Sequence, residues 1–301
     1  MEFRTVVDIP KSGPEIGPCE QMLFVGSCFA DHIGRRFAEE KFRVTVNPYG
    51  VMYNPASILH TIERLSPAAF HEGQFPRVVF LTLGTNHVYR LRETGEIVDN
   101  CGKRPQALFQ EEELTVDECA AYLRRAVDVL SHHRPDVHVV FTVSPIRYRK
   151  YGYHGSQLSK ATLLLAISQL TSVSKIKSSI VCARRFTRLG DSTFNLQSSM
   201  FNLHLSYFPA YEIFMDELRD YRFYDADMLH PSEQAVDYIW ERLSDAWLSP
   251  EARQFLTDWA PLKQALAHKP FHPESEEYRA FMDKTMLKVA ALQKKYPNFA
   301  L

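Results

Sequence analysis

The sequence predicts an α/β fold, with a central parallel sheet held between layers of helices. Three observations predict it. Two nearly continuous apolar runs, Arg77 to Leu83 (RVVFLTL) and His138 to Val143 (HVVFTV), suit strands buried on both faces. Amphipathic helical stretches alternate with strand-like ones through the first two-thirds of the chain. Four strand candidates also stop at residues that break regular structure: Gly26, Asn47-Pro48, Gly84 and Ser144-Pro145.

Taken in order, Met22 to Val25 is a short apolar strand ending at Gly26. Ala30 to Glu40 follows as a half-buried helix, with Ile33 and Phe37 four apart and charges between them. Phe42 to Val46 is a β-branched strand. Asn54-Pro55 supplies an N-cap with proline at the first helical position, opening a helix to about Leu65. Beyond the 77–83 strand, VYRL and EIV flank Glu93-Thr94-Gly95 as a hairpin. Thr115-Val-Asp-Glu118 is a capping box for an amphipathic helix to about His132. Ser156 to Gln169 is helical, Leu205 to Phe208 is the last strand, and Ser232 caps a helix with Ala235, Tyr238, Ile239 and Leu243 on one face.

Two regions depart from the alternation. Residues 170–204 are serine-rich, contain Asp191 as their only acid and lack periodicity, so they read as an irregular excursion. Residues 249–301 read as two helices opened at Ser249-Pro250 and Glu274-Ser275. In the second, Tyr278, Phe281, Met282, Met286, Val289 and Leu292 form an apolar stripe, expected to pack on the body of the chain, with a dimer contact as the alternative. No linker divides residues 1–248, so the expected organisation is one α/β domain with a helical extension.

The composition excludes several classes. With 35 Lys+Arg against 36 Asp+Glu in 301 residues, the chain lacks the basic excess of an electrostatic nucleic-acid binder. Its apolar runs fall far short of a membrane span. The amino terminus lacks the basic start and apolar stretch of a secretory signal, and five scattered cysteines without CxxC suit reduced thiols; both lead to a cytoplasmic expectation. No GxxxxGK[ST] or GxGxxG motif and no metal-ligand spacing occurs, so neither a cofactor nor a metal is expected.

In open α/β sheets ligands bind beyond the carboxyl ends of the strands. Those ends carry Gly26-Ser27-Cys28, Asn47-Pro48-Tyr49-Gly50, Gly84-Thr85-Asn86 and Ser144-Pro145-Ile146-Arg147, followed late in the chain by Asp227-Met-Leu-His230. An aspartate three residues before a histidine can hold one ring nitrogen and leave the other as a base for a nucleophile. Gly50 and Asn86 offer donors for an oxyanion. Arg147 is placed to bind an anionic part of a substrate, or else forms a structural salt bridge. Cys28 can equally be a small core residue, Ser27 a helix cap and His230 a turn residue.

The segment GSCFA at 26–30 resembles the signature of the GSCFA family. The blocks NPYGVMYNP, TVSPIR, QLSKATLLLAI, YFPAYEIFMDELRDYRFYDADMLHPSEQA and HKPFHPESEEY are similar to that family's other blocks. The resemblance spans essentially the whole chain except about 170–204. It implies the SGNH-hydrolase superfamily, a three-layer α/β/α sandwich, and a hydrolase or acyltransferase acting on a small-molecule or glycan acyl ester or thioester, by analogy. An ungapped match puts Cys28 where the nucleophile belongs; a one-residue shift gives Ser27. It further implies Gly50 and Asn86 as oxyanion donors and Asp227 with His230 as the orienting acid and base. His87 after Asn86, in place of an acid, departs from the superfamily pattern. A non-catalytic binding protein that retains the fold is the alternative.

Overall fold

The computed structural model describes residues 4–70, 73–102, 104–183 and 204–301. Its centre is a five-stranded parallel sheet of β1 (Gln21–Gly26), β2 (Arg43–Val46), β3 (Val78–Leu83), β7 (His138–Val143) and β8 (His204–Tyr207), in the order β2-β1-β3-β7-β8. A separate antiparallel sheet holds β4 (His87–Leu91) between β5 (Ile97–Val98) and β6 (Phe109–Glu113).

Alternation along the strands builds the two flanking layers. Leu23, Val25, Val79, Leu81, Val139 and Phe141 face one side, against α2 (Pro55–Arg64), α3 (Val116–His133) and α4 (Gly152–Ala183). Met22, Phe24, Val78, Phe80 and Val140 face the other, against α1 (Cys28–Glu39) and α6 (Glu233–Trp247). The result is a three-layer α/β/α sandwich, as the sequence predicts. Phe24 and Phe80 stack across neighbouring strands at 4.7 Å on the α1 side.

The predicted caps recur as hydrogen bonds. Asn54 Oδ1 accepts from Ser57 N, and Thr115 and Glu118 form a reciprocal box. Ser232, Ser249 and Ser275 cap α6, α7 (Pro250–Ala267) and α8 (Glu276–Lys295). Between β8 and α6 lies a short helical turn, α5 (Ala210–Glu212), that runs on as a π turn through Glu217.

Three expectations need correction. The helix expected to end at Gln169 continues as α4 to Ala183, so 170–183 is not irregular; 184–203 lies outside the described residues. Strand β6 was not foreseen, because Phe109-Gln-Glu-Glu-Glu113 offers one buried residue and a run of acids rather than alternation. The stripe on α8 is only partly covered. Val289 and Leu292 pack with Tyr296 and Phe299 on Phe255, Trp259 and Leu262, whereas Phe281 and Met286 remain exposed. The extension is fixed to the α/β body through Phe42 against Phe255 and an ion pair between Lys263 and Glu40.

Candidate functional site

The strand order reverses direction at β1 and β3, whose chains leave toward α1 and toward the β4 hairpin. Neighbouring strands whose connections diverge leave a crevice at their carboxyl ends. Three backbone features shape it. Gly26, ending β1, has φ +144°, and a Cβ there would lie 2.0 Å from the Thr82 carbonyl oxygen, so only glycine fits between the strands. Asn47 accepts from Gly26 N at 2.8 Å through Oδ1 and donates to Asp31 Oδ1 at 2.7 Å, fixing the β2 exit against α1. The loop onward is drawn across the sheet: Met52 N donates to Gly26 O, while Gly84 N and Thr85 N both donate to Tyr53 O.

Within that frame Ser27 and Cys28 differ sharply. Ser27 is fully buried, and its hydroxyl caps α1 by accepting from Phe29 N at 3.3 Å. Cys28 is the first residue of α1 and only half-buried; its Sγ lies 3.6 Å from Tyr53 Oη. Burial and contact with Cys28 push the Tyr53 hydroxyl up to about 12.

Asp227 and His230 meet as the i, i+3 spacing implies. Asp227 Oδ1 accepts from Leu229 N at 2.8 Å and His230 N at 2.9 Å, and Oδ2 lies 2.5 Å from His230 Nδ1. These hydrogen bonds, led by the His230 backbone N–H, hold the Asp227 carboxyl down at about 2. Met228, between them, takes a left-handed φ of 59° to close the turn. Arg147 N donates to Leu229 O at 3.4 Å, which attaches this turn to the carboxyl end of β7. His32, one turn beyond Cys28 on α1, is lowered by burial and then by the charges of Arg35 and His230.

Each of the two expected oxyanion donors makes one hydrogen bond within the protein. Gly50 N donates to Asn47 O at 2.8 Å in its own turn. Asn86 is buried, with Nδ2 donating to Leu114 O at 2.8 Å and its backbone N donating to Ser159 Oγ, at the root of the β4–β6 hairpin. Arg147 is half-buried; its Nη2 meets Met215 Sδ at 3.6 Å, and its buried Nε has no partner among the described residues.

Three side chains escaped the sequence reading. Lys160 is buried and donates to Gly84 O at 2.6 Å and Ser144 O at 2.8 Å, joining the ends of β3 and β7. Burial, then the charge of Arg147, drives its amine far below the ordinary lysine range. The signal was present: Lys160, Leu163 and Ile167 share one helical face, and that face is core. Tyr148 lies 5.0 Å from the Lys160 amine through its ring and approaches Gly84 so closely that a Cβ there would be 2.2 Å from its hydroxyl. Tyr53 sits edge-on to Tyr148, with ring centres 5.9 Å apart.

Among the described residues no group of three or more His, Cys, Asp or Glu could hold a metal ion, and no helix is long and apolar enough to cross a membrane.

Fold and site together define a three-layer α/β protein with a thiol and an Asp-His pair at the carboxyl end of its parallel sheet. The family model described as the GSCFA family matches residues 21–76 and 69–243, and that of the GSCFA domain protein C-terminal domain matches 259–301. The chain belongs to the GSCFA family. Comparison with curated proteins finds none that matches. Among solved structures, an acetyl esterase mutant with acetate ion is similar at a TM-score of 0.38 and 10% identity, over 79% of this chain and 99% of that one. A carbohydrate esterase family 3 protein from Talaromyces cellulolyticus is similar at 0.39 and 10%, over 79% and 99%. Likenesses that loose leave the chemistry to the chain's own residues.

Proposed function

We propose that the protein is an SGNH-type hydrolase or acyltransferase acting on ester or thioester bonds, with Cys28 as nucleophile, His230 as base and Asp227 as its orienting acid. The carrying observation is the contrast at the start of α1: the Ser27 hydroxyl is buried in a cap, and the Cys28 thiol is only half-buried, 3.6 Å from Tyr53 Oη. Asp227 holds Nδ1, so Nε2 of His230 is left to take the thiol proton.

In this reading Sγ attacks the acyl carbon and the carbonyl π pair moves onto oxygen. Collapse of that intermediate expels the alcohol or thiol, which takes its proton from the His230 imidazolium. Water or an acceptor hydroxyl then attacks the acyl-cysteine, giving its proton to His230 and restoring the thiol. Arg147, lacking a carboxylate partner among the described residues, would receive an anionic part of the substrate.

A second reading, a binding protein that retains the fold, is favoured by one observation: Gly50 N–H and the Asn86 amide already donate within the protein. A panel of acyl esters and thioesters, run on the native protein, Cys28→Ala and Ser27→Ala, separates the two. Turnover lost only in Cys28→Ala supports the enzyme. Absence of turnover and of an acyl-cysteine adduct across the panel supports the binding protein.

A further inference from the structure

Each oxyanion donor that the family resemblance implies makes one hydrogen bond within the protein, and the thiol has a further hydroxyl beside it. We propose that Tyr53 is a catalytic residue of this site: its hydroxyl donates a hydrogen bond to the oxyanion that forms when Cys28 attacks an acyl carbon. The assignment rests on Cys28 being the nucleophile.

Distance is the first support. Tyr53 Oη lies 3.6 Å from Cys28 Sγ. An oxygen on the carbon bonded to Sγ can therefore come within the roughly 2.5–3.0 Å of an O–H···O bond from Tyr53. The backbone N–H of Cys28, at the first position of α1, has no partner among the described hydrogen bonds and lies on the same atom chain as the thiol. One hydroxyl and one backbone N–H flanking the nucleophile form a two-donor site of the kind acyl transfer requires.

Preorganisation is the second. A donor stabilises a transition state best when it does not have to move at the moment of reaction. Tyr53 is held from both ends. Its backbone carbonyl accepts from Gly84 N and Thr85 N at 2.8 and 2.9 Å, and its ring is fixed edge-on against Tyr148. Tyr148 in turn reaches that position only because Gly84 has no side chain, and Lys160 closes the floor beneath it. Lys160, Tyr148 and Gly84 are thus positioning residues for Tyr53.

Protonation is the third. A hydroxyl raised to about 12 keeps its proton through the neutral pH range, so Tyr53 remains a donor. Tyr53 is also 37% exposed, so a substrate carbonyl can reach it.

The test compares two reactions of the same sulfur in the native protein and in Tyr53→Phe, which keeps the ring packing. Iodoacetamide alkylates the thiol without forming an oxyanion; 4-nitrophenyl acetate acylates it through one. Acylation is followed by release of nitrophenolate in a single turnover and by the mass of the Cys28 adduct. The expected result is a fall in acylation of about 100-fold or more, with alkylation changed far less. Equal acylation rates in the two proteins would overturn the proposal. So would a parallel fall in both reactions, which would mean that Tyr53 acts on the thiol rather than on the oxyanion. Failure of the native protein to form any Cys28 adduct with the ester, while iodoacetamide still modifies it, would instead remove the nucleophile and the proposal with it.

Discussion

The side chains of Ser27 and Phe29's neighbour Cys28 diverge at a single helix terminus: Ser27 Oγ turns inward to accept from Phe29 N at 3.3 Å, and Cys28 Sγ turns out toward Tyr53. Replacing Ser27 by Ala removes a cap and is expected to cost about 1 kcal/mol of stability. Acyl transfer should survive. Cys28→Ala should leave the melting transition nearly unchanged and abolish both acyl transfer and inactivation by thiol alkylation. Thermal denaturation alongside an ester assay checks both halves.

Gly26 and Gly50 both have positive φ, and their surroundings separate them. A methyl group at Gly26 would meet the Thr82 carbonyl at 2.0 Å, and moving it would part β1 from β3. Nothing lies within 4 Å of a Cβ at Gly50. Gly26→Ala is therefore expected to lose more than about 3 kcal/mol or fail to fold, while Gly50→Ala loses about 1–2 kcal/mol from backbone strain alone. Urea denaturation of the two variants measures the difference.

Asp227→Asn keeps the shape of the turn and changes the chemistry of its partner, because an amide cannot hold His230 Nδ1 as a carboxylate does. Acyl transfer should fall by roughly 10²–10⁴-fold, with stability at neutral pH lowered by the loss of the carboxylate. Sign and window follow from the lowered carboxyl. Its contribution to stability is present above the ordinary value of 3.8 and is lost as pH falls toward about 2. An NMR titration of the Asp227 carboxyl that places its midpoint near 4 would contradict this.

His138 is buried, and its Nε2 lies 2.6 Å from Ser206 Oγ, which donates to Ser12 O. Burial, then His204 and Arg77, lowers it to about 4. The unfolded chain takes up the proton near 6.5, before the folded protein does. Stability due to His138 is therefore intact above 6.5 and declines as pH falls toward 4, by at most about 3 kcal/mol. In His138→Asn that limb of a stability-against-pH curve should flatten; an unchanged limb would show that other groups govern it.

Lys160→Met fills the same apolar space and strands the Gly84 and Ser144 carbonyls without their donor. Each unpaired buried carbonyl costs about 1–3 kcal/mol, set against relief from burying an amine. A net loss of stability in denaturant is expected, with a larger fall in acyl transfer than the stability change alone would bring.

By itself the sequence determined what depends on short-range regularity. Apolar runs such as VVFLTL can bury both faces only in a covered parallel sheet, so the three layers were legible. Asn54-Pro55, Thr115 with Glu118, and Ser232 satisfy helix termini within three or four residues, so the caps were legible too. The pairing of Asp227 with His230 belongs to the same class, a turn whose partners are three residues apart. Tertiary structure alone decided what depends on strand order. Tyr53, Gly84, Tyr148 and Lys160 come from four separate loops and helices, and only the arrangement β2-β1-β3-β7 brings them together at one sheet edge. The same arrangement gave Asn86 a carbonyl of the β6–α3 turn to bond, a partner 28 residues away that its strand-end position did not announce. It also settled the orientation of α1, turning Ser27 into the core and leaving Cys28 half-buried beside Tyr53, because two adjacent side chains at a helix start point to different sides.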